Sequence, residues 1–139
     1  MKQEFLTNNS KQTQKLGELL AQELNSLVGG GAIICLSGEL GAGKTTFTQG
    51  LLKGLKVKGP YTSPSFVIMK KYGNNIYHID AYRVGADDIL NLGWEEIVAE
   101  PKNIIIIEWA ERIKKIIPPD SLWINFEWKD QNKRKISFK

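Results

Sequence analysis

Gly38-Glu39-Leu40-Gly41-Ala42-Gly43-Lys44-Thr45 carries the spacing G-x-x-x-x-G-K-[ST]. What lies on either side decides how it is read. Upstream, residues 32–37 (Ala-Ile-Ile-Cys-Leu-Ser) form a short apolar run that follows the triplet Gly29-Gly30-Gly31, the pattern of a buried strand. Downstream, an amphipathic stretch begins at Lys44 and runs to about residue 55, where a helix is expected. The motif therefore sits where a phosphate-binding loop has to sit, between a strand end and a helix start.

The chemistry explains the spacing. Glycines let the backbone curl closely, so that successive N–H groups point inward at an anion. The helix behind the loop adds free N-terminal N–H groups and its positive dipole end. Lys44 can reach the outer phosphates of a nucleotide, and the Thr45 hydroxyl can bind Mg²⁺. The residues expected against the phosphates are Glu39, Leu40, Gly41, Ala42, Gly43, Lys44, Thr45 and Thr46.

Such a loop needs a carboxylate at the tip of a neighbouring strand. Two stretches offer one. Residues 104–108 are four isoleucines ending in Glu108, and residues 76–80 (Ile-Tyr-His-Ile-Asp) end in Asp80. A buried carboxylate is costly without a cation or hydrogen bonds to compensate it. We expect Glu108 in the Mg²⁺ shell and Asp80 in a supporting or water-activating role; on the residues alone the two could be exchanged. Thr62-Ser63-Pro64-Ser65 lies where a switch segment could sense a terminal phosphate through Thr62, Ser63 or Ser65, and equally reads as a turn before a strand. His78 reads as a packed or hydrogen-bonded strand residue. Trp94, Trp109, Trp123 and Trp128 read most simply as core, with Trp109 near the site because it follows Glu108.

Farther out, Ser10 is expected to cap a helix carrying Leu16, Leu19, Leu20, Leu24 and Leu27 at helical spacing. Residues 66–72 and 76–82 form an expected hairpin around Gly73-Asn74-Asn75. Residues 86–99 are mostly helical with a break near Gly93, 103–109 a central strand, and 110–117 a short helix stopped by Pro118-Pro119. Residues 122–128 and 135–138 alternate as a last hairpin. Strands and helices interleave. The expected fold is a single α/β domain over residues 1–139: three layers, P-loop NTPase-like, with a mixed, mainly parallel sheet and antiparallel hairpins.

Composition narrows the field. With 42% hydrophobic and 24% charged residues among 139, the chain has ordinary globular usage. One Cys and one His exclude a disulfide framework and a zinc site. No apolar run approaches a membrane span, and the first ten residues have no signal-peptide core, so a cytoplasmic setting without a membrane partner is expected. The net charge of +4 is local: residues 129–139 hold five basic residues against Asp130, and the rest is balanced. That end is either a solvated hairpin or a contact for phosphate, nucleotide or RNA.

Five segments occur in order: residues 38–47 around the loop, 62–66 (Thr-Ser-Pro-Ser-Phe), 78–83 (His-Ile-Asp-Ala-Tyr-Arg), 92–96 (Leu-Gly-Trp-Glu-Glu) and 107–111 (Ile-Glu-Trp-Ala-Glu). Together they resemble the TsaE (formerly YjeE) family, the small bacterial ATPases of tRNA threonylcarbamoyladenosine biosynthesis. The likeness runs from about Ser10 to Arg134; Ser65 stands where the family usually has Thr. It implies ATP and Mg²⁺ as cofactors, and TsaD, the threonylcarbamoyl transferase subunit, with TsaB as partners. tRNA would be met indirectly through that complex, and the free chain is expected to be a monomer. It also implies Lys44 and Thr45 on phosphate and Mg²⁺, Glu108 on Mg²⁺, Asp80 in hydrolysis, and Thr13 and Arg134 near adenine and ribose.

A small-molecule kinase is the competing expectation. Three arginines, Arg83, Arg112 and Arg134, leave little for a phosphoryl-clamping lid. A GTP switch would want Asn-Lys-x-Asp, and Asn132-Lys133-Arg134-Lys135 lacks the Asp. An RNA-binding module would leave the loop unexplained.

Overall fold

The computed structural model describes residues 3–26, 30–39, 41–59 and 68–139. Leu27, Gly29, Leu40, Pro60, the segment with Thr62, Ser63 and Ser65, and the first two residues of the expected 66–72 strand lie outside them.

The order is β1 (Gln3–Thr7), α1 (Ser10–Ser26), β2 (Ala32–Gly38), α2 (Lys44–Gly54), β3 (Met69–Tyr72), β4 (Ile76–Asp80), α3 (Ala86–Leu90), α4 (Trp94–Ala99), β5 (Ile104–Glu108), a 3-10 helix (Ala110–Ile116), β6 (Leu122–Trp128) and β7 (Arg134–Phe138). All seven strands form one sheet, ordered β1-β7-β6-β2-β5-β4-β3. The four central strands β6, β2, β5 and β4 are parallel; both flanks are antiparallel.

Period-two alternation sorts the central strands into two cores. Ile34, Leu36, Ile104 and Ile106 face α1 and α2. Cys35, Ile79, Ile105 and Ile107 face α3, α4 and the 3-10 helix. Both faces of β5 are covered, which is why its sequence reads as an unbroken isoleucine run rather than as alternation. On the far layer, Trp94 Nε1 donates to the Ile116 carbonyl at 3.0 Å and ties α4 to the 3-10 helix.

The helix pair α1/α2 packs backbone to backbone. A Cβ on Gly50 would stand 1.9 Å from the Gln14 carbonyl oxygen, so only glycine fits there. This contact fixes α2, and with it the loop at its N-terminus, against the rest of the layer.

Three expectations change. The cap of α1 is Asn9: its Oδ1 accepts from Gln12 N–H at 2.9 Å, while Gln12 Oε1 accepts from Asn8 N–H at 2.7 Å, making Ser10 the first helical residue. β1 has no counterpart in the sequence reading; it is an edge strand, exposed except at Thr7, and shows no alternation to detect. Of the four tryptophans only Trp94 belongs to the buried core, and Trp128 is half exposed on the edge hairpin.

Candidate active site at the C-terminal end of the parallel strands

β2 ends at Gly38, and the loop that follows turns directly into α2. Gly38 has φ +133°, and a Cβ there would stand 2.2 Å from the Phe126 carbonyl oxygen of β6, so the first glycine of the motif is dictated by the neighbouring strand. Gly43, at φ +103°, opens the helix. Ala42 is buried, and its N–H donates to the Glu39 carbonyl at 3.2 Å, closing the turn.

Lys44 is 5% exposed. Its Nζ donates to the carbonyls of Gly38 (2.6 Å) and Glu39 (2.7 Å), and lies 3.9 Å from the centre of the Trp109 ring. Burial pushes the ammonium below its ordinary value, and the charges of Glu111, Glu108, Asp80 and Glu39 oppose that shift. The lysine is thus held inside the loop by carbonyls and an aromatic face, with carboxylates around it and none in ion-pair contact among the described residues.

Glu108 ends β5 on the α2 side of the sheet and is 3% exposed. Its Oε1 accepts from the Thr45 hydroxyl at 2.8 Å, and its Oε2 meets His78 Nε2 at 2.6 Å. Asp80 ends the adjacent strand β4 in register with Glu108. Asp80 Oδ1 accepts from the Tyr82 N–H at 3.0 Å. The two acids therefore stand side by side. Glu108 reaches Thr45, whereas the Asp80 carboxylate is held by the turn that follows its own strand.

A cleft of about 350 Å³ opens above the loop. Of the expected residues, Gly41, Gly43, Lys44, Thr45, Thr46 and Glu108 line it, together with Thr13 and Arg134, which stand beside Gly43. Thr13 is buried and held by Thr7 at 2.7 Å. Arg134 Nε donates to the Gly41 carbonyl at 3.2 Å, and its Nη1 donates to the Asp130 carbonyl at 2.8 Å, bridging the loop to the basic hairpin. Glu39 and Asp80 stand beside the cleft rather than in its lining.

The sequence reading missed several contributors. Asn9, Ser10, Gln131 and Asn132 line the cleft from the start of α1 and the last hairpin. Glu111 Oε2 accepts from the Gly38 N–H at 3.1 Å, closing the base of the loop. Trp109 does more than follow Glu108. Its backbone is left-handed (φ 60°), which swings the ring over Lys44 and against Tyr82, with ring centres 4.7 Å apart. Glu111 was visible only as a member of the 107–111 segment, and Gln131 and Asn132 only as part of the basic 129–139 end.

The model of the family described as Threonylcarbamoyl adenosine biosynthesis protein TsaE matches residues 7–136. The chain belongs to the TsaE family. It is 39% identical to the TsaE protein of Rickettsia felis, over 96% of this chain and 77% of that one. It is also 39% identical to TsaE of Aquifex aeolicus, over 96% and 92%. With TsaE of Bacillus subtilis it shares 34% identity over 99% and 86%. Its fold superposes on the crystal structure of Bacillus subtilis YdiB with a TM-score of 0.75 at 27% identity, covering 99% of this chain and 84% of that one. The TsaE family belongs to tRNA threonylcarbamoyladenosine biosynthesis, and the cleft just described is this member's nucleotide-site candidate. No helix of the described residues is long and apolar enough to cross a membrane.

Proposed function

We propose that the chain is a magnesium-dependent ATPase that acts on the TsaD/TsaB threonylcarbamoyl transferase complex and allows it to turn over repeatedly at adenosine 37 of tRNA. The observation that carries this reading is the 2.8 Å contact between the Thr45 hydroxyl and the Glu108 carboxylate, beside the loop lysine.

Those two oxygens are hard donors of the kind Mg²⁺ takes from a protein when nucleotide phosphates and water complete its shell. Among the described residues no cluster of three or more His, Cys, Asp or Glu side chains could hold a metal alone. That fits a cation arriving with its nucleotide. Magnesium bound there would neutralise charge on the outer phosphates as it develops. The chain's own residues do the rest. The loop N–H groups and the α2 terminus bind phosphate oxygens. Lys44 exchanges its carbonyl partners for the same oxygens. Asp80, next to Glu108, orients the attacking water. Thr13 and Arg134 flank the nucleoside end.

Hydrolysis by the isolated chain is expected to be slow. Arg134 is engaged with Gly41 and the hairpin, and Arg112 lies over the Tyr82 ring, 5.4 Å from its centre. Arg83, the third arginine, is exposed and outside the cleft lining. None of the three stands in the cleft as a free arginine finger, so a partner would supply that charge in trans. Binding of a fluorescent ATP analogue, with and without Mg²⁺, to the wild type and to Lys44→Ala tests the site. Loss of binding in the variant is expected; unchanged affinity would refute the assignment. Steady transfer of the γ-phosphoryl group to a small molecule instead of water would favour the kinase.

A further inference from the structure

We propose that His78 is the positioning residue that fixes the orientation of the Glu108 carboxylate, donating a hydrogen bond from Nε2 to Oε2 so that Oε1 is presented to Thr45 and to a nucleotide-borne cation. The cation part of this rests on the ATPase reading above; the hydrogen bond itself does not.

His78 stands opposite Ile106 in the parallel β4/β5 pair, which places it diagonally from Glu108 on the same face of the sheet. Both side chains are almost wholly buried. One oxygen of Glu108 is taken by His78 at 2.6 Å and the other by Thr45 at 2.8 Å. A carboxylate held at both oxygens by groups on two different elements has one orientation available to it. Without the imidazole, nothing else among the described residues bonds Oε2. The side chain could then rotate towards Lys44, whose ammonium already feels its charge without touching it.

The tautomer follows from the surroundings. Nδ1 of His78 is buried and has no partner among the described residues. A proton there would be an unpaired buried donor, while a proton on Nε2 meets an acceptor. Nε2 is therefore the nitrogen that carries a proton in this contact, and Glu108 Oε2 accepts from it. Orientation of a metal-binding carboxylate by a hydrogen-bonded neighbour is a general device, and its removal typically lowers metal affinity about 10–100-fold.

His78 is the only histidine in the chain, so its ring nitrogens can be read without assignment in a ¹⁵N-labelled sample of the full chain. The expected spectrum shows a proton on Nε2, with the Nε2–H signal moving in Glu108→Gln. An Nε2 without a proton in the wild type overturns the proposal. In parallel, the Mg²⁺ concentration for half-maximal ATP hydrolysis should rise about tenfold in His78→Leu. His78→Gln, which keeps an N–H donor at the same reach, should recover most of that loss, and affinity for ATP in EDTA should change little in either. Equal Mg²⁺ dependence in His78→Leu and wild type overturns the proposal. Should His78→Leu fail to fold, the spectrum and the glutamine variant decide. Absence of any Mg²⁺-dependent turnover in the wild type, with the Nε2 proton in place, would refute the ATPase reading and leave the hydrogen bond standing.

Discussion

Replacing Thr45 with valine removes one hydroxyl and little else. Valine has the same branching and nearly the same helix propensity, so α2 itself is not weakened. What is lost is the 2.8 Å hydrogen bond to Glu108 Oε1, leaving a buried carboxylate oxygen without its donor. An unsatisfied buried acceptor of this kind costs about 1–3 kcal/mol. Thr45 is itself exposed, so water can reach that end of the contact and the lower part of the range, about 1–2 kcal/mol, applies. For a chain of 139 residues, at about 2.1 cal/mol/K per residue, the unfolding entropy is about 0.3 kcal/mol/K. The expected fall in Tm of the nucleotide-free protein is therefore about 3–7 °C. Thr45→Ser restores the donor and should restore the Tm to within about 2 °C. Differential scanning fluorimetry of the two variants measures this directly, and an ATPase assay over a Mg²⁺ series follows the same contact in function. Thr45→Val should lose Mg²⁺-dependent turnover. An unchanged Tm together with unchanged Mg²⁺ dependence in Thr45→Val would refute the reasoning that Thr45 and Glu108 act as one unit.

Other substitutions probe separate parts of the account. Asp80→Ala and Glu108→Ala should keep nucleotide binding and lose hydrolysis or Mg²⁺ use, in contrast to Lys44→Ala; equilibrium titration beside a turnover assay separates the two effects. Gly50→Ala drives a methyl into the Gln14 carbonyl oxygen and should destabilise the fold by about 3 kcal/mol or more, read by urea denaturation. Burial pushes the Cys35 thiol up to about 12 from an ordinary 9.0. The folded state then keeps its proton while the unfolded state loses it. Stability at this group is accordingly full below pH 9 and declines as pH rises from there, by up to about 1.4 kcal/mol per pH unit. Comparing Cys35→Ala with wild type by urea denaturation at pH 8 and pH 10 isolates that contribution; an identical pH trend in both would contradict it. The buried thiol should likewise react with iodoacetamide at pH 8.5 only after unfolding.

Much of the site was legible because its chemistry is local in sequence. The loop spacing, the strand before it and the helix after it lie within two dozen residues, and period-two and period-3.6 patterns were enough to order them. The four isoleucines of β5 announced a strand covered on both faces, and Glu108 at its end was conspicuous for the same reason. What could not be read was lateral. The contact between His78 and Glu108 depends on the β4/β5 register, and residues 78 and 108 carry no signal of each other. Gln131 and Asn132 reach the cleft only because β7 folds back beside β6 and brings the hairpin tip over the loop. Asn9 and Ser10 are equally good caps by residue type; the Gln12 side chain, bonding back to Asn8, decided between them. β1 escaped because an exposed edge strand needs no apolar alternation.

The most direct test of the central claim is steady-state ATP hydrolysis in Mg²⁺ by this chain, first alone and then with the cognate TsaD and TsaB. The account predicts slow turnover alone and strong stimulation by the pair, abolished in Glu108→Ala. Fast turnover by the isolated chain, or normal ATP binding with no stimulation by the pair, would contradict it.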